Sequence, residues 1–219
     1  GRSCVAPLCA APAAAGSVAP LPWGDKKVPT AVECLTALFL LGLAVPRAAL
    51  ESALTGPQLQ VLFYANVVVH CDVHPDRFYA LVQIFPLSLG GRELYLLTDW
   101  HPKVLSRTII DGEGEGNGEG AVMYIGPDSL ALVQHYLMMD NDQEPDPIPL
   151  QSHLLDLCTG SGIQALAALS LGRCRRAVAL DVNPRCLRFA RFNAALNGLA
   201  DRLTLVRGDL LRGMGSIWD

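Results

Sequence analysis

The sequence predicts an α/β fold for the C-terminal half of the chain, preceded by a small α+β module. From His153 to Asp209, strand-like and helix-like segments alternate in the order β-α-β-α-β. Between Ala31 and Thr98, helix-like segments are followed by short runs rich in β-branched and aromatic residues. Strands that alternate with helices are typical of a parallel sheet, and we expect helices to cover both of its faces.

The C-terminal elements each carry a local signal. The strand segments are nearly continuous apolar runs, as expected for strands buried on both faces. The second helix contains Asn193 and ends at Asn197-Gly198, a pair suited to a left-handed cap. The strand segments read HLLDLC, AVALDV and LTLV, and the helix segments read SGIQALAALSL and PRCLRFARFNAALNG.

The N-terminal elements are predicted from residue type. Residues 31–43 are helix-like, and Pro46 opens a second helix, because proline is favoured in a first turn. Runs of β-branched and aromatic residues predict strands over 60–70, 78–85 and 93–98. Helices followed by a small β-ribbon indicate a winged-helix-like module.

Composition divides the chain into four predicted parts. Residues 1–29 are rich in Ala, Pro and Gly and are expected to form a disordered leader. The α+β module covers 30–102, an acidic Gly-rich linker covers 103–120, and the α/β domain covers 121–219. No acidic residue precedes Asp25, so the leader is also compatible with an organelle transit peptide, as the alternative to a cytoplasmic protein.

The bulk properties exclude several classes of protein. With 51% hydrophobic and 17% charged residues, the chain is expected to fold, and its net charge of −4 does not resemble a globally basic nucleic-acid binder. The seven cysteines are scattered without a C-x-x-C pair, which argues against zinc or a disulfide framework and for a reducing compartment. The most apolar run, 34–45, is too short for a bilayer, so we expect no membrane association.

A glycine-rich turn after the first C-terminal strand is the strongest candidate binding site. Gly160 and Gly162 allow a tight turn and a close approach to a ligand, and the helix from Ile163 presents free N–H groups. Asp181 ends the next strand, where a carboxylate can accept both ribose hydroxyls of a nucleoside cofactor. The turn also satisfies the dinucleotide pattern G-x-G-x-x-A, so alone it is ambiguous.

Acidic residues at the strand ends favour S-adenosylmethionine over a nicotinamide dinucleotide. Asp156, just before the turn, would attract an ammonium group and repel a pyrophosphate. Asp209 ends the third strand, in position to meet an adenine amino group. We therefore predict an S-adenosylmethionine site.

The segments DLCTGSG, ALDVNPRCLRFARFNAALNG and VRGDL resemble motifs I, II and III of class I methyltransferases. Within that superfamily they look like the N-methyltransferases with a small N-terminal domain, which include release-factor glutamine and ribosomal RNA guanine-N2 methyltransferases. The resemblance implies a Rossmann-like fold and S-adenosylmethionine as cofactor. It also implies an acceptor nitrogen on a release factor-like protein or on RNA. The implied cofactor-binding residues are Asp156, Cys158, Thr159, Gly160, Gly162, Asp181, Val182, Asn183, Asp209 and Leu210.

One departure from this family concerns catalysis. Its signature, Asn-Pro-Pro-aromatic after the fourth strand, holds a planar NH2 group for attack on the methyl by positioning. Here the chain continues from Asp209 as LLRGMGSIWD, and Asn183-Pro184 belongs to the exit of the second strand. We therefore name no catalytic residue and expect an incomplete, marginally stable and inactive methyltransferase domain.

Two rival functions and several rival sites stay open. The rivals are a nicotinamide-dependent oxidoreductase and a non-catalytic cofactor-binding or interaction protein. We interpret Cys158 as a small residue that fills the turn and His70 to His74 as a solvated strand end, so no metal site is predicted. The arginines near the second strand and on its helix are expected to be solvated, with an RNA contact as the alternative. They are Arg173, Arg175, Arg176, Arg185, Arg188 and Arg191.

Overall fold

A computed structural model describes Trp23 and residues 28–71, 75–100, 122–138 and 152–210. Its contacts divide the chain into two units. The first comprises Gly1–Ile84 and Asp99–Glu115, and the second comprises Phe85–Thr98 and Gly116–Asp219. The acidic linker, residues 72–74, the segment after Leu210 and nearly all of the leader lie outside the described residues.

The first unit combines three helices with an antiparallel sheet of strand order β1-β3-β2. Its buried side chains include Leu38, Leu50, Phe78 and Trp100, whose indole N–H donates to the Ala80 carbonyl at 2.9 Å. The elements are α1 (Ala31–Phe39), β1 (Val45–Pro46), α2 (Arg47–Ala53), α3 (Gly56–Tyr64), β2 (Val68–His70) and β3 (Arg77–Ala80).

Helix α3 corrects the predicted strand over 60–70, since only its last three residues form a strand. Thr55 and Gln58 form a capping box, in which the Thr55 N–H and the Thr55 hydroxyl both donate to Gln58 Oε1, at 2.8 Å and 2.9 Å. Pro57 occupies the first turn. These start signals outweigh the β-branched and aromatic content of the run.

Two other predicted boundaries also differ from the structure. Helix α1 ends at Phe39 rather than at Leu43. The predicted strand over 78–85 is two strands, because the chain bends at residues 81–82 between β3 and β4 (Gln83–Leu89). Strand β5 (Arg92–Thr98) lies where the sequence predicts it and pairs with β4.

The second unit contains the predicted parallel sheet, with strand order β6-β7-β8. The alternation of strands and helices is confirmed in this unit. Its elements are α4 (Pro127–Met138), β6 (His153–Leu157), α5 (Ile163–Leu171), β7 (Arg176–Asp181), α6 (Pro184–Leu196), a 3₁₀ turn (Ala200–Arg202) and β8 (Leu203–Arg207). This is a Rossmann-like arrangement.

Helices α5 and α6 pack on one face of this sheet. Leu154, Ala177 and Leu203 lie side by side in register and belong to the same apolar core as both helices. Right-handed crossovers that step along the sheet in one direction place their helices on the same face. The sequence predicts helices on both faces of the sheet. The described residues show α5 and α6 on this face, and the prediction for the other face stays a prediction.

The β4–β5 hairpin contributes to the second unit through residues 85–98. Leu94 and Leu96 are buried in the same core as α5 and α6. This division differs from the predicted boundary at 102, which groups the hairpin with the N-terminal module. No helix in the described ranges is long and apolar enough to cross a membrane.

Candidate functional site

The glycine turn connects β6 to α5 and has three left-handed residues. The φ angle is 58° at Cys158, 56° at Gly160 and 87° at Gly162. Backbone bonds hold the turn against the sheet and against itself: Thr159 N–H donates to Leu180 O at 3.0 Å, and Gly162 N–H donates to Thr159 O at 2.8 Å. Left-handed backbone suits glycine but strains a residue that carries a Cβ. The strain at Cys158 is not evident from its residue type.

Asp156 fastens the turn to helix α5. Its Oδ2 accepts from the Thr159 hydroxyl at 2.6 Å and from the Ala165 N–H at 3.2 Å. Burial raises the pKa of this carboxyl above its ordinary value, although both hydrogen bonds act in the opposite direction. Asp156 Oδ2 therefore stabilises the turn through these two hydrogen bonds, and the residue also lines the cleft described below.

Asp181 fastens the turn to strand β7. Its Oδ2 accepts from the Gly160 N–H and its Oδ1 from the Asn183 N–H, both at 2.9 Å. The side chain is buried, with 8% of its surface exposed. A carboxylate oxygen has two lone pairs, so each oxygen retains capacity for one further donor.

The two glycines of the turn have different surroundings. A Cβ built on Gly160 meets nothing within 4 Å, whereas a Cβ on Gly162 lies 3.1 Å from Ala190 Cβ and 3.3 Å from Ala190 Cα. Gly160 thus faces open space, and Gly162 permits the close packing of α5 against α6.

An open cleft of about 310 Å³ lies beside the turn. The predicted site residues Asp156, Cys158, Thr159 and Gly160 line it. Its lining also includes residues that the sequence analysis did not select: Met123, Tyr124, Ile125, Asp128, Ser129, Leu132 and Gln164. The sequence analysis did not select the upstream part of this lining, because contact between sequence-distant segments leaves no local pattern.

Gln164 joins this upstream segment to the turn. Its Nε2 donates to Ser129 O at 3.0 Å. Its Oε1 is buried and has no hydrogen-bond partner among the described residues. An unsatisfied buried acceptor is costly in free energy, and Gln164 as a whole lines the cleft.

Gly162 packs against α6, and the other predicted residues lie at the ends of β7 and β8 rather than in the lining of this cleft. Gly208 N–H donates to Asp181 O at 3.2 Å, which places Asp209 beside the end of β7. Val182 and Leu210 are largely exposed. The Asn183 amide oxygen accepts from Arg185 N–H and caps α6.

Basic residues form a separate cleft at the opposite, amino ends of the strands. It has a volume of about 450 Å³ and is lined by His153, Arg175, Arg176 and Arg202. The Arg185 guanidinium lies 5.1 Å from the ring centre of Phe189. Within the described part of the chain, no three His, Cys, Asp or Glu residues are grouped so as to hold a metal ion.

Comparisons with known proteins show what the chain resembles. Residues 139–215 match the family described as ribosomal protein L11 methyltransferase (PrmA). The chain is 51% identical over 123 residues to the ribosomal protein L11 methyltransferase of Pelobacter propionicus, covering 54% of this chain and 36% of that protein. It is 46% identical over 137 residues to the Pasteurella multocida protein of the same description, covering 61% of this chain and 38% of that protein. The chain thus spans a little over a third of the length of these relatives.

Among solved structures, the L11 methylase of Lactobacillus delbrueckii subsp. bulgaricus shows 26% identity and a TM-score of 0.34, covering 42% of this chain and 43% of that one. The narrower resemblance to release-factor and ribosomal RNA methyltransferases is not confirmed, because the family match is to the L11 type. Residues 139–215 are therefore similar in sequence to the ribosomal protein L11 methyltransferase family.

Proposed function

We propose that this chain binds S-adenosylmethionine at the glycine turn, as part of a methyltransferase that modifies a nitrogen on a protein of the ribosome. The supporting observation is the chemistry of the cleft. Its described lining residues include Asp128, Asp156 and Gln164, and none of them is Lys, Arg or His. Such a lining attracts a ligand with ammonium and sulfonium groups and repels a pyrophosphate.

The residues around the turn fit the rest of this cofactor. The positive end of helix α5 suits the carboxylate of the methionine portion. The spare lone pairs of Asp181 suit the ribose hydroxyls, and Gly160 leaves room for the ligand to approach the backbone. When bound, the cofactor supplies an electrophilic methyl group, and these residues would hold and orient it.

Calorimetry with S-adenosylhomocysteine and with NADH tests the choice of cofactor. We expect the chain to bind S-adenosylhomocysteine and not NADH. Asp181→Ala should weaken this binding tenfold to hundredfold, since a hydrogen bond to a charged group contributes about 1.5–3 kcal/mol. Asp201→Ala, at an exposed position in the 3₁₀ turn, is the matched control and should bind as the wild type does. Binding of NADH alone would overturn the proposal.

The acceptor is proposed from the relatives, whose names specify ribosomal protein L11. Transfer of labelled methyl from S-adenosylmethionine to purified ribosomal protein, compared with purified ribosomal RNA, tests it. Label in the protein supports the proposal, and label in RNA contradicts it. The same experiment tests the expectation that residues 1–219 transfer no methyl, and label in either acceptor would overturn that expectation.

A further inference from the structure

Asn193 of α6 is a buried polar side chain next to the glycine turn. None of its surface is exposed, and all of its described side-chain hydrogen bonds are made to backbone groups. Its Oδ1 accepts from Leu97 N–H at 2.7 Å. Its Nδ2 donates to Leu97 O and to Ser161 O, each at 2.9 Å. One amide therefore joins strand β5, helix α6 and the glycine turn.

Asn197, one helical turn further on, makes the same pair of bonds without reaching the glycine turn. Its Oδ1 accepts from Tyr95 N–H at 2.9 Å, and its Nδ2 donates to Tyr95 O at 2.8 Å and to Asn193 O at 2.7 Å. The two asparagines differ in one relevant contact, the bond to Ser161. Asn197 can therefore serve as the control residue for the bond between Asn193 and Ser161.

The bond to Ser161 fixes the orientation of one peptide group of the turn. The Ser161 carbonyl and the Gly162 N–H belong to the same planar peptide. Asn193 binds the carbonyl, and the N–H donates to Thr159 O. On the other side of the turn, Asp181 binds the Gly160 N–H. The peptide group between Gly160 and Ser161, at the wall of the cleft, lies between these two anchors.

We infer that Asn193 is a positioning residue for the cofactor site, acting through the Ser161 peptide rather than by contact with the ligand. This inference rests on the proposed function. Two left-handed glycines give the turn many alternative conformations, and a donor fixed on α6 selects the one that presents its backbone to the cleft. A turn that is already ordered loses less freedom when a ligand binds, so it binds more tightly.

Asn193→Ala and Asn197→Ala form the test pair, since alanine preserves the helix. Both variants lose the two bonds to β5, and both should unfold more easily than the wild type. Only Asn193→Ala should also weaken S-adenosylhomocysteine binding, by about tenfold, when calorimetry is performed well below both melting temperatures. Equal affinities of the two variants would show a purely structural role and overturn the inference. If the wild type itself fails to bind, the proposed function fails instead.

A measurement on the wild type covers the case in which Asn193→Ala does not fold. The side-chain NH2 signals of Asn193 and Asn197 are followed by NMR during titration with S-adenosylhomocysteine. Because only Asn193 is bonded to the turn, its signals should shift on binding while those of Asn197 stay in place. Unshifted Asn193 signals in a chain that binds the ligand would contradict the positioning role.

Discussion

The two halves of the glycine turn show how adjacent residues of similar conformation serve different purposes. The outer half, Cys158 to Gly160, faces the cleft, and a side chain on Gly160 would enter open space. The inner half is held against α6: the Ser161 carbonyl accepts from Asn193 Nδ2, and a side chain on Gly162 would collide with Ala190. A pattern of glycines therefore combines two requirements, access for a ligand and close packing of helices, and these can be separated by mutation.

Gly162→Ala should cause the largest loss of stability. The new Cβ would lie 3.1 Å from Ala190 Cβ, and the φ angle of 87° is strained for any side chain. Overpacking and left-handed strain together should lower the free energy of unfolding by about 2–4 kcal/mol. Urea unfolding measures this loss. A variant as stable as the wild type would show that α5 and α6 move apart at little cost.

Gly160→Ala should act mainly on the ligand. Its φ angle of 56° costs about 1 kcal/mol of stability, but its Cβ meets no protein atom within 4 Å. The methyl group occupies space on the ligand side, so S-adenosylhomocysteine should bind at least tenfold more weakly. Calorimetry beside urea unfolding separates the two effects. Normal affinity would place the cofactor elsewhere.

Asp156→Asn should separate the two roles of this residue by changing stability and affinity in opposite directions. Burial raises the pKa of Asp156, so the folded state holds this proton more tightly than the unfolded state does. Its contribution to stability is present below the ordinary pKa of an aspartate and is lost as the pH rises through the raised pKa. Asparagine retains the oxygen acceptor and does not titrate, so the variant should gain stability over the wild type as the pH rises.

The same variant lacks the charge that we expect to attract the cofactor ammonium, so binding should weaken about tenfold. Unfolding curves at a series of pH values, paired with calorimetry, check both effects. If wild type and variant show the same pH dependence, Asp156 is not held in the environment that the structure shows.

Cys158→Gly should have the smallest effect, and a favourable one. Cys158 has a φ of 58°, and glycine adopts this conformation without strain. Relief of that strain, reduced by the greater freedom of glycine in the unfolded chain, should raise the free energy of unfolding by up to about 1 kcal/mol. Thermal unfolding detects a change of this size. A loss of stability would mean that the thiol makes contacts that outweigh the strain.

The parallel sheet was predictable because its signals are local. Apolar strands, the glycine turn and the Asn197-Gly198 cap can all be read within a few residues, and Gly198 is indeed left-handed at 68°. The prediction of a strand over 60–70 was wrong because the strand preference of its β-branched and aromatic residues was given more weight than the capping residues Thr55 and Gln58, which begin a helix.

The site was predictable only in part, because only some of its residues belong to local sequence patterns. Asp156, Gly160 and Asp181 follow from strand ends and glycines. The upstream wall of the cleft, including Tyr124 and Asp128, depends on contacts between distant segments. Asn193 and its partner Leu97 are 96 residues apart, and no local pattern connects them.

The two asparagines on α6 also determine what can happen at the outer edge of strand β5. Residues four apart on a helix are separated by about 6.0 Å along its axis, and residues two apart on a strand by about 6.6 Å. Asn193 and Asn197 therefore match Leu97 and Tyr95, and each amide exchanges two hydrogen bonds with one residue, as a neighbouring strand would. With these backbone groups occupied, this stretch of β5 is not available to pair with a strand of another molecule.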